Sequence, residues 1–289
     1  MNLVALAGGV GRLEPDGSIS ELDLPQPSVA ALLSEHGRRA GMEALESCAV
    51  RRRFPPGQAA EDSMLAAGAS VWGVGMNYRS KQLATGRPQP DEPVLFVKAP
   101  SSFRGTGSPI AIPAAAPDCV DYEGEIAVMI GASLHDAGLA EAGEGIAGYL
   151  AANDVTARDV MRRSGSPSIA KSFPGFGQLG SAMACVDDPG DVNGIPITTH
   201  VAGELRQEDT SDGMLIPIAD LVSLLSRYVL LRPGDLVLTG TPAGTGDETG
   251  RYLAAGDTIE VRVGHLPPLV SNVIGPPARL AGVATGAIA

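Results

Sequence analysis

Aromatic side chains are scarce in this chain. They make up 4% of its 289 residues, with a single tryptophan. That excludes a core built on ring stacking, so packing has to rest on valine, leucine, isoleucine and alanine. Cysteine is nearly as rare. Cys48, Cys119 and Cys185 stand far apart with no CxxC pair, which excludes a disulfide framework and suits a reducing, cytoplasmic setting. No stretch approaches the roughly 18 apolar residues that a membrane-spanning helix needs. The opening MNLVALAGGVGRLEPDG lacks the basic n-region of a signal peptide. Positive charge is also short: 21 Lys and Arg stand against 33 Asp and Glu, a formal net charge of -12. Nucleic acid and anionic membrane surfaces are thereby excluded as partners. A small anionic substrate is not, because a bound dication and a few local cations reverse the field inside one pocket.

What the chain does hold in quantity is turn-forming residues, Gly 37 and Pro 23, which favour many short strands over long helices. Residues 1–70 read as a small N-terminal domain. LVALAGG and SISELDL flank the turn signal LEPDG as a hairpin, residues 28–46 carry a helical pattern of Ala and Leu with a Gly break, and RRRFPPGQ reads as a linker. Residues 71–289 read as a β-rich C-terminal domain, with strands in SVWGVGM, PVLFVK, EIAVMIG, GIAGYLAAND, ITTHVAG, DLVLTG and DTIEVRV. One clear helix lies in PIADLVSLLSRYVLL, where Ile218, Leu221, Leu224 and Leu225 recur at helical spacing. Short strands with few helices between them predict a mixed, β-rich α+β fold, a sandwich or rolled sheet rather than a doubly wound one.

The chemistry concentrates in DYEGEIAVMIG, 121–131. Alternate residues of a strand share a face, so Asp121, Glu123 and Glu125 are expected to project together. Most acidic strand faces are simply solvated, but this one runs into an apolar, buried-looking segment. A second acidic position, Asp154, ends the apolar strand of GYLAANDVTARD, where side chains point into clefts; on its own it would more often only cap the turn. Two glutamates and an aspartate offer three hard oxygens, which suit Mg²⁺, Mn²⁺ or Ca²⁺ better than Zn²⁺. Beside such a cation, Arg158 and Lys171 could clamp a substrate carboxylate and stabilise an enolate. LTGTPAGTG, 238–246, lacks the GK[ST] of a phosphate loop, which excludes nucleotide binding. Its Thr241 hydroxyl and backbone N–H groups could still hold a small carboxylate.

Taken in order, VGMNYRSKQLATGRPQPDEPVLFVKAP, DYEGEIAVMIG, GYLAANDVTARD, AKSFPGF, ELRQEDT and LRPGDLVLTGTPAGTG resemble the fumarylacetoacetate hydrolase family, over residues 71 to about 275. The resemblance implies a rolled β-sandwich core, a homodimer, and Mg²⁺ or Mn²⁺ on Glu123, Glu125 and Asp154. It also implies that Arg158, Lys171, Gln207 and Thr241 line a site for a small keto-acid or dicarbonyl. The expected reaction is hydrolytic C–C cleavage of an acylpyruvate-type substrate through an enolate. The chain departs from the family where that reaction activates water: the pattern NYxxHxxExG becomes NYRSKQLATG, with Lys81 in the histidine position and Ala84 in the glutamate position, and KSFD becomes KSFP at Pro174. His36, His135, His200 and His265 lie outside the matched motifs. Three outcomes stay open: Lys81 acts as the base, His36 arrives from the N-terminal part, or water activation is lost. The last favours a decarboxylase or tautomerase, and a metal-bound dimer that only binds keto-acids is a further alternative.

Overall fold

In the computed structural model, residues 1–88 and 92–276 are described; residues 89–91 and 277–289 of the expected C-terminal domain lie outside them. The protein is a mixed, sheet-rich α+β structure, with no closed barrel among the described residues. The main sheet runs in the order Val50–Phe54, Ile19–Leu22, Gly9–Leu13, Asn2–Leu6, Gly177–Cys185, Ile146–Asp154, Gly124–Ile130, Leu236–Leu238, Val71–Gly75 and Val94–Val97, with Phe103–Gly105 paired to Gly177–Cys185. A second sheet holds Glu204–Thr210, Pro196–Val201, Thr258–Val263, Leu269–Ile274 and Ile110–Ala111.

Period-2 alternation gives the central strands two buried faces. On one, Ile126, Val128 and Ile130 share a core with Ile197, Val261 and Val263 of the second sheet. On the other, Ala127, Met129, Leu150 and Met183 meet Leu32, Leu33 and Leu45, carried by the helices Val29–His36 and Arg38–Ser47. Gly37, at φ 76°, makes the break between those helices. The Gly124–Ile130 strand is therefore buried along its whole length. The acidic positions at its start, Glu123 and Glu125, line a cavity between buried strands.

Three local expectations are corrected. The turn LEPDG joins Gly9–Leu13, not LVALAGG, to Ile19–Leu22; the glycine-rich GVGRL is itself a strand, with Gly11 beneath Ile19, whose Cγ2 would lie 2.6 Å from any added Cβ. RRRFPPGQ is not a linker from its start. Val50–Phe54 is an edge strand, and its arginines pair with acidic residues far back in the chain: Arg51 with Asp23 at 2.7 Å, Arg52 with Glu21 at 2.9 Å and Arg53 with Asp16 at 2.9 Å. Charged side chains blunt such an exposed edge. The third correction is Gly177–Cys185, a central strand absent from the expected set. The N-terminal strand Asn2–Leu6 hydrogen-bonds to it, so the first residues extend the central sheet. The three cysteines are unpaired, and no helix among the described residues is long and apolar enough to cross a membrane.

Candidate active site

The antiparallel ladder between Gly124–Ile130 and Ile146–Asp154 sets Gly124 opposite Asn153 and Glu125 opposite Ala152. Asp154 N–H donates to the Glu123 carbonyl at 2.8 Å. This register gathers one oxygen from each of Glu123, Glu125 and Asp154 within 4.8 Å of one another, all three side chains buried. The residue between the glutamates has to be glycine, because a Cβ at Gly124 would lie 2.0 Å from the Thr199 hydroxyl of the second sheet.

Asp121 does not join them. The strand breaks at Tyr122 and Glu123, and Val120–Asp121 leaves to pair with Thr156–Ala157. The Asp121 carboxylate instead accepts from Arg158 Nε at 2.7 Å and from the backbone N–H groups of Gly246 and Asp247. Arg158 reaches Glu123 with Nη2, so it bridges two protein carboxylates and has less freedom to clamp a substrate than its position suggested. Lys171 is similarly engaged: its Nζ donates to Glu123, to Asp154 at 2.6 Å and to Thr156 Oγ1 at 3.0 Å. Motif reading overlooked Lys98, a fully buried lysine (0% exposed). It donates to Asp154 Oδ1 at 2.5 Å and to the Phe176 carbonyl at 3.0 Å. The available signal is a lone lysine closing the apolar strand PVLFVK.

These contacts divide the carboxylates electrostatically. Burial alone would raise Glu123, but Arg158 and then Lys171 outweigh it and hold the group well below the ordinary glutamate range. Glu125 has no cationic partner among the described residues; it accepts only the Gly240 N–H, at 2.9 Å. Burial, then the neighbouring Asp154 and Glu123, push it well above the ordinary value. Lysine charges are affected too. Burial lowers Lys98, partly offset by Asp154, whereas at Lys171 the pull of Asp154 and Glu123 exceeds the effect of burial and raises it. The four acidic groups Asp121, Glu123, Glu125 and Asp154 face three basic ones, Lys98, Arg158 and Lys171, and Glu125 is the one left without a salt bridge. A hard dication fits the donor set and the unpaired Glu125.

A cavity of about 300 Å³ in front of Glu123 and Glu125 is also lined by Lys81, Phe96, Arg158, Lys171, Thr241 and Glu248, among others, with Asp154 buried out of its wall. Thr241 is on the wall, but its hydroxyl already donates to the Gly124 carbonyl at 2.7 Å. Gln207 lies behind the wall. Its amide nitrogen donates to Thr241 and Pro242, and its oxygen accepts from Gly124 N–H at 3.0 Å, so it braces the 240–243 turn against the acidic strand. The glycine-rich turn also departs from expectation. Its N–H groups serve carboxylates of the protein: Gly240 to Glu125, Gly244 to Glu248 at 2.6 Å, and Gly246 to Asp121 at 2.6 Å. Gly244 has φ 104°, and a Cβ there would lie 1.9 Å from the Arg206 carbonyl. Gly244→Ala is therefore expected to destabilise the protein by about 2–3 kcal/mol. Urea denaturation checks this; a loss below about 0.5 kcal/mol, the range of ordinary surface changes, would refute it.

Lys81 is on the wall and salt-bridged to Glu248 at 2.7 Å, with Thr245 Oγ1 at 3.2 Å. Glu248 had not been expected; its only signal is an acidic pair directly after a glycine-rich turn. Among the described residues no histidine lines the cavity. His36 ends the Val29–His36 helix beside Gln26, His265 meets Asn2, and His135 is exposed. Pro174 is exposed in a turn away from the wall.

Residues 70–274 match the model of the fumarylacetoacetate hydrolase C-terminal domain. An uncharacterized protein of Archaeoglobus fulgidus is 36% identical over 195 residues, 68% of this chain and 74% of the relative. The oxaloacetate tautomerase YisK of Bacillus subtilis is 32% identical over 206 residues, 70% of this chain and 68% of the relative. The crystal structure of 5-carboxymethyl-2-hydroxymuconate delta-isomerase from Mycobacterium smegmatis superposes with a TM-score of 0.77 at 29% identity, covering 95% of this chain and all of that one.

Proposed function

Because the chain belongs to the fumarylacetoacetate hydrolase family, we propose that it is a divalent-cation enzyme that shifts a proton between carbon and oxygen of a small 2-oxo acid, a tautomerase or isomerase. One observation carries this reading: three buried carboxylates cluster, two of them, Glu123 and Glu125, on the wall of a cavity that also offers cations and a lysine–glutamate pair but, among the described residues, no histidine. The tautomerase and isomerase among the relatives support it.

Glu123, Glu125 and Asp154 would hold Mg²⁺ or Mn²⁺, with Ca²⁺ a third fit to the same oxygens. A dication there supplies a Lewis acid that draws electrons from a 2-oxo group. The protein's own groups do the rest. Arg158, on the cavity wall, holds Glu123 in place, and Lys98, fully buried behind it, holds Asp154. Lys171 lies on the cavity wall with its N–H groups already given to Glu123, Asp154 and Thr156, so it would act on negative charge at a substrate oxygen through its own charge and not through a free N–H. With Glu125 deprotonated on a bound dication, four carboxylates, three basic groups and the dication would together leave one positive charge. An acidic protein thus makes a pocket that attracts an anion only when loaded. Hydrolytic C–C cleavage is the second reading. It uses the same electron sink but also needs a base acting on water, a role the family pattern gives to the histidine that Lys81 replaces. Decarboxylation needs no such base and stands beside the proton shift. The active protein would be a homodimer.

The test is to follow enol–keto interconversion and loss of carbon dioxide from oxaloacetate, and cleavage of acylpyruvates, with Mn²⁺ or Mg²⁺ and after chelation. Chelation is expected to lower the oxaloacetate rate by about 10²-fold or more, with recovery on adding metal. Cleavage of acylpyruvates alone would put hydrolysis first. Tight oxalate binding with no turnover of either substrate would leave a binding protein.

A further inference from the structure

Most of the ionisable groups on the cavity wall are already engaged. Glu123, Glu125, Arg158 and Lys171 belong to the carboxylate cluster. Asp247 is paired with Arg162, whose side chain is 55% exposed at the mouth. One buried pair touches none of these: Lys81 and Glu248, each side chain 10% exposed. The two come from separate elements, the helix Arg79–Thr85 and the short helix Gly246–Thr249, and meet only through the fold. Glu248 is held at both oxygens. Oε2 accepts from Gly244 N–H at 2.6 Å, and Oε1 from Thr245 Oγ1 at 3.2 Å and Lys81 Nζ at 2.7 Å. Lys81 directs two of its three N–H groups at Glu248 and Thr245, which leaves the third for the cavity.

We propose that Lys81 and Glu248 are catalytic residues acting as one unit, a relay that carries a proton between C3 and the C2 oxygen of a 2-oxo acid; this rests on the proton-shift function proposed above. In the keto-to-enol direction the C3–H bond breaks and its proton goes to a Glu248 oxygen. Its electron pair becomes the C2=C3 double bond, and the carbonyl π pair withdraws onto the C2 oxygen. That oxygen takes a proton from Lys81 Nζ, leaving a neutral amine. The new Glu248 O–H returns its proton to the amine across the salt bridge, and the ion pair is restored. No water, oxidant or second substrate enters. The reverse sequence turns enol into keto. A salt-bridged pair suits this exchange because the return of the proton across it leaves both groups ready for the next turnover. A histidine–water device would have to be reset by solvent.

The test compares Glu248→Gln, Lys81→Met and Lys81→Arg in the full-length, Mn²⁺-loaded protein. The readouts are deuterium incorporation at C3 of pyruvate and the enol–keto rate of oxaloacetate, beside Mn²⁺ and oxalate affinity by calorimetry. Arginine keeps a cation against Glu248 but does not surrender its proton. The relay therefore predicts a loss of about 10²-fold or more for Lys81→Arg as well as for the other two. It also predicts that the double variant is no slower than the worse single one. Mn²⁺ and oxalate affinities should stay within about threefold of wild type. A merely structural salt bridge predicts near-normal rates for Lys81→Arg, and that result would overturn the proposal. So would a melting temperature or Mn²⁺ affinity that falls in step with the rate in all three variants. A wild-type protein that takes up neither Mn²⁺ nor oxalate would instead overturn the function on which the relay rests.

Discussion

Glu125→Gln is expected to make the dication-free protein more stable while removing dication uptake and lowering turnover by about 10³-fold or more. The two effects have one cause. Glu123 and Asp154 each touch two cationic side chains, whereas Glu125 receives a single backbone N–H. An uncompensated buried carboxylate opposes folding, and an amide of the same shape relieves it, a gain of about 1–3 kcal/mol. The pH dependence carries the same signature. Burial and the neighbouring carboxylates raise Glu125 in the folded protein, so the folded state holds its proton more tightly than the unfolded chain does. Its contribution to stability therefore falls as pH rises from the ordinary glutamate value of 4.5 toward the raised one, then levels off. Wild type and variant should melt together in acid and separate as pH rises through that window, the variant higher. Thermal melts with a chelator present, from pH 4 upward, check this. A variant that melts below wild type at neutral pH would show that Glu125 has a cationic partner after all.

The alternation of DYEGEIAVMIG put Glu123 and Glu125 on one face and the apolar strand ended at Asp154, both matters of local periodicity, and the family resemblance joined the three into one cluster. Asp121 shares that alternation and still turns away, since the strand breaks at Tyr122 and the carboxylate finds Arg158 and two N–H groups of the glycine-rich turn. That turn is 125 residues downstream, beyond any local pattern. Lys98 and Glu248 were illegible for the same reason: each matters only through a partner brought to it by the fold. Gly177–Cys185 fails differently. GQLGSAMAC has no β-branched residue, yet it sits between two strands, with Gly177 beneath Phe103, where a Cβ would come within 2.6 Å of the ring. Close approach, not intrinsic strand preference, selects its small residues. Gln207 is the converse case. Its motif lies where the resemblance predicted, but the amide faces the turn and not the cavity.

Lys98→Met should have the largest effect on stability of any change at the site. The ammonium is fully buried, and its partners are Asp154 Oδ1 and the carbonyls of Phe176 and Val155. Methionine fills the space but takes the ammonium from all three acceptors, of which the Phe176 carbonyl keeps the Val155 N–H, and it deprives Asp154 of one of its two cations. Breaking a buried pair from one side costs roughly 3–5 kcal/mol, which at about 2–4 °C per kcal/mol for a chain this long lowers the melting temperature by around 10 °C. Lysine's own desolvation moderates the loss, because burial already holds Lys98 below its ordinary value. The loss should also be repairable. A dication beside Asp154 replaces part of the missing charge and binds only the folded protein, so Mn²⁺ should raise the melting temperature further in Lys98→Met than in wild type. Equal shifts in the two proteins would mean that Lys98 acts through packing alone. A variant melting within about 2 °C of wild type without metal would mean that Asp154 does not depend on it.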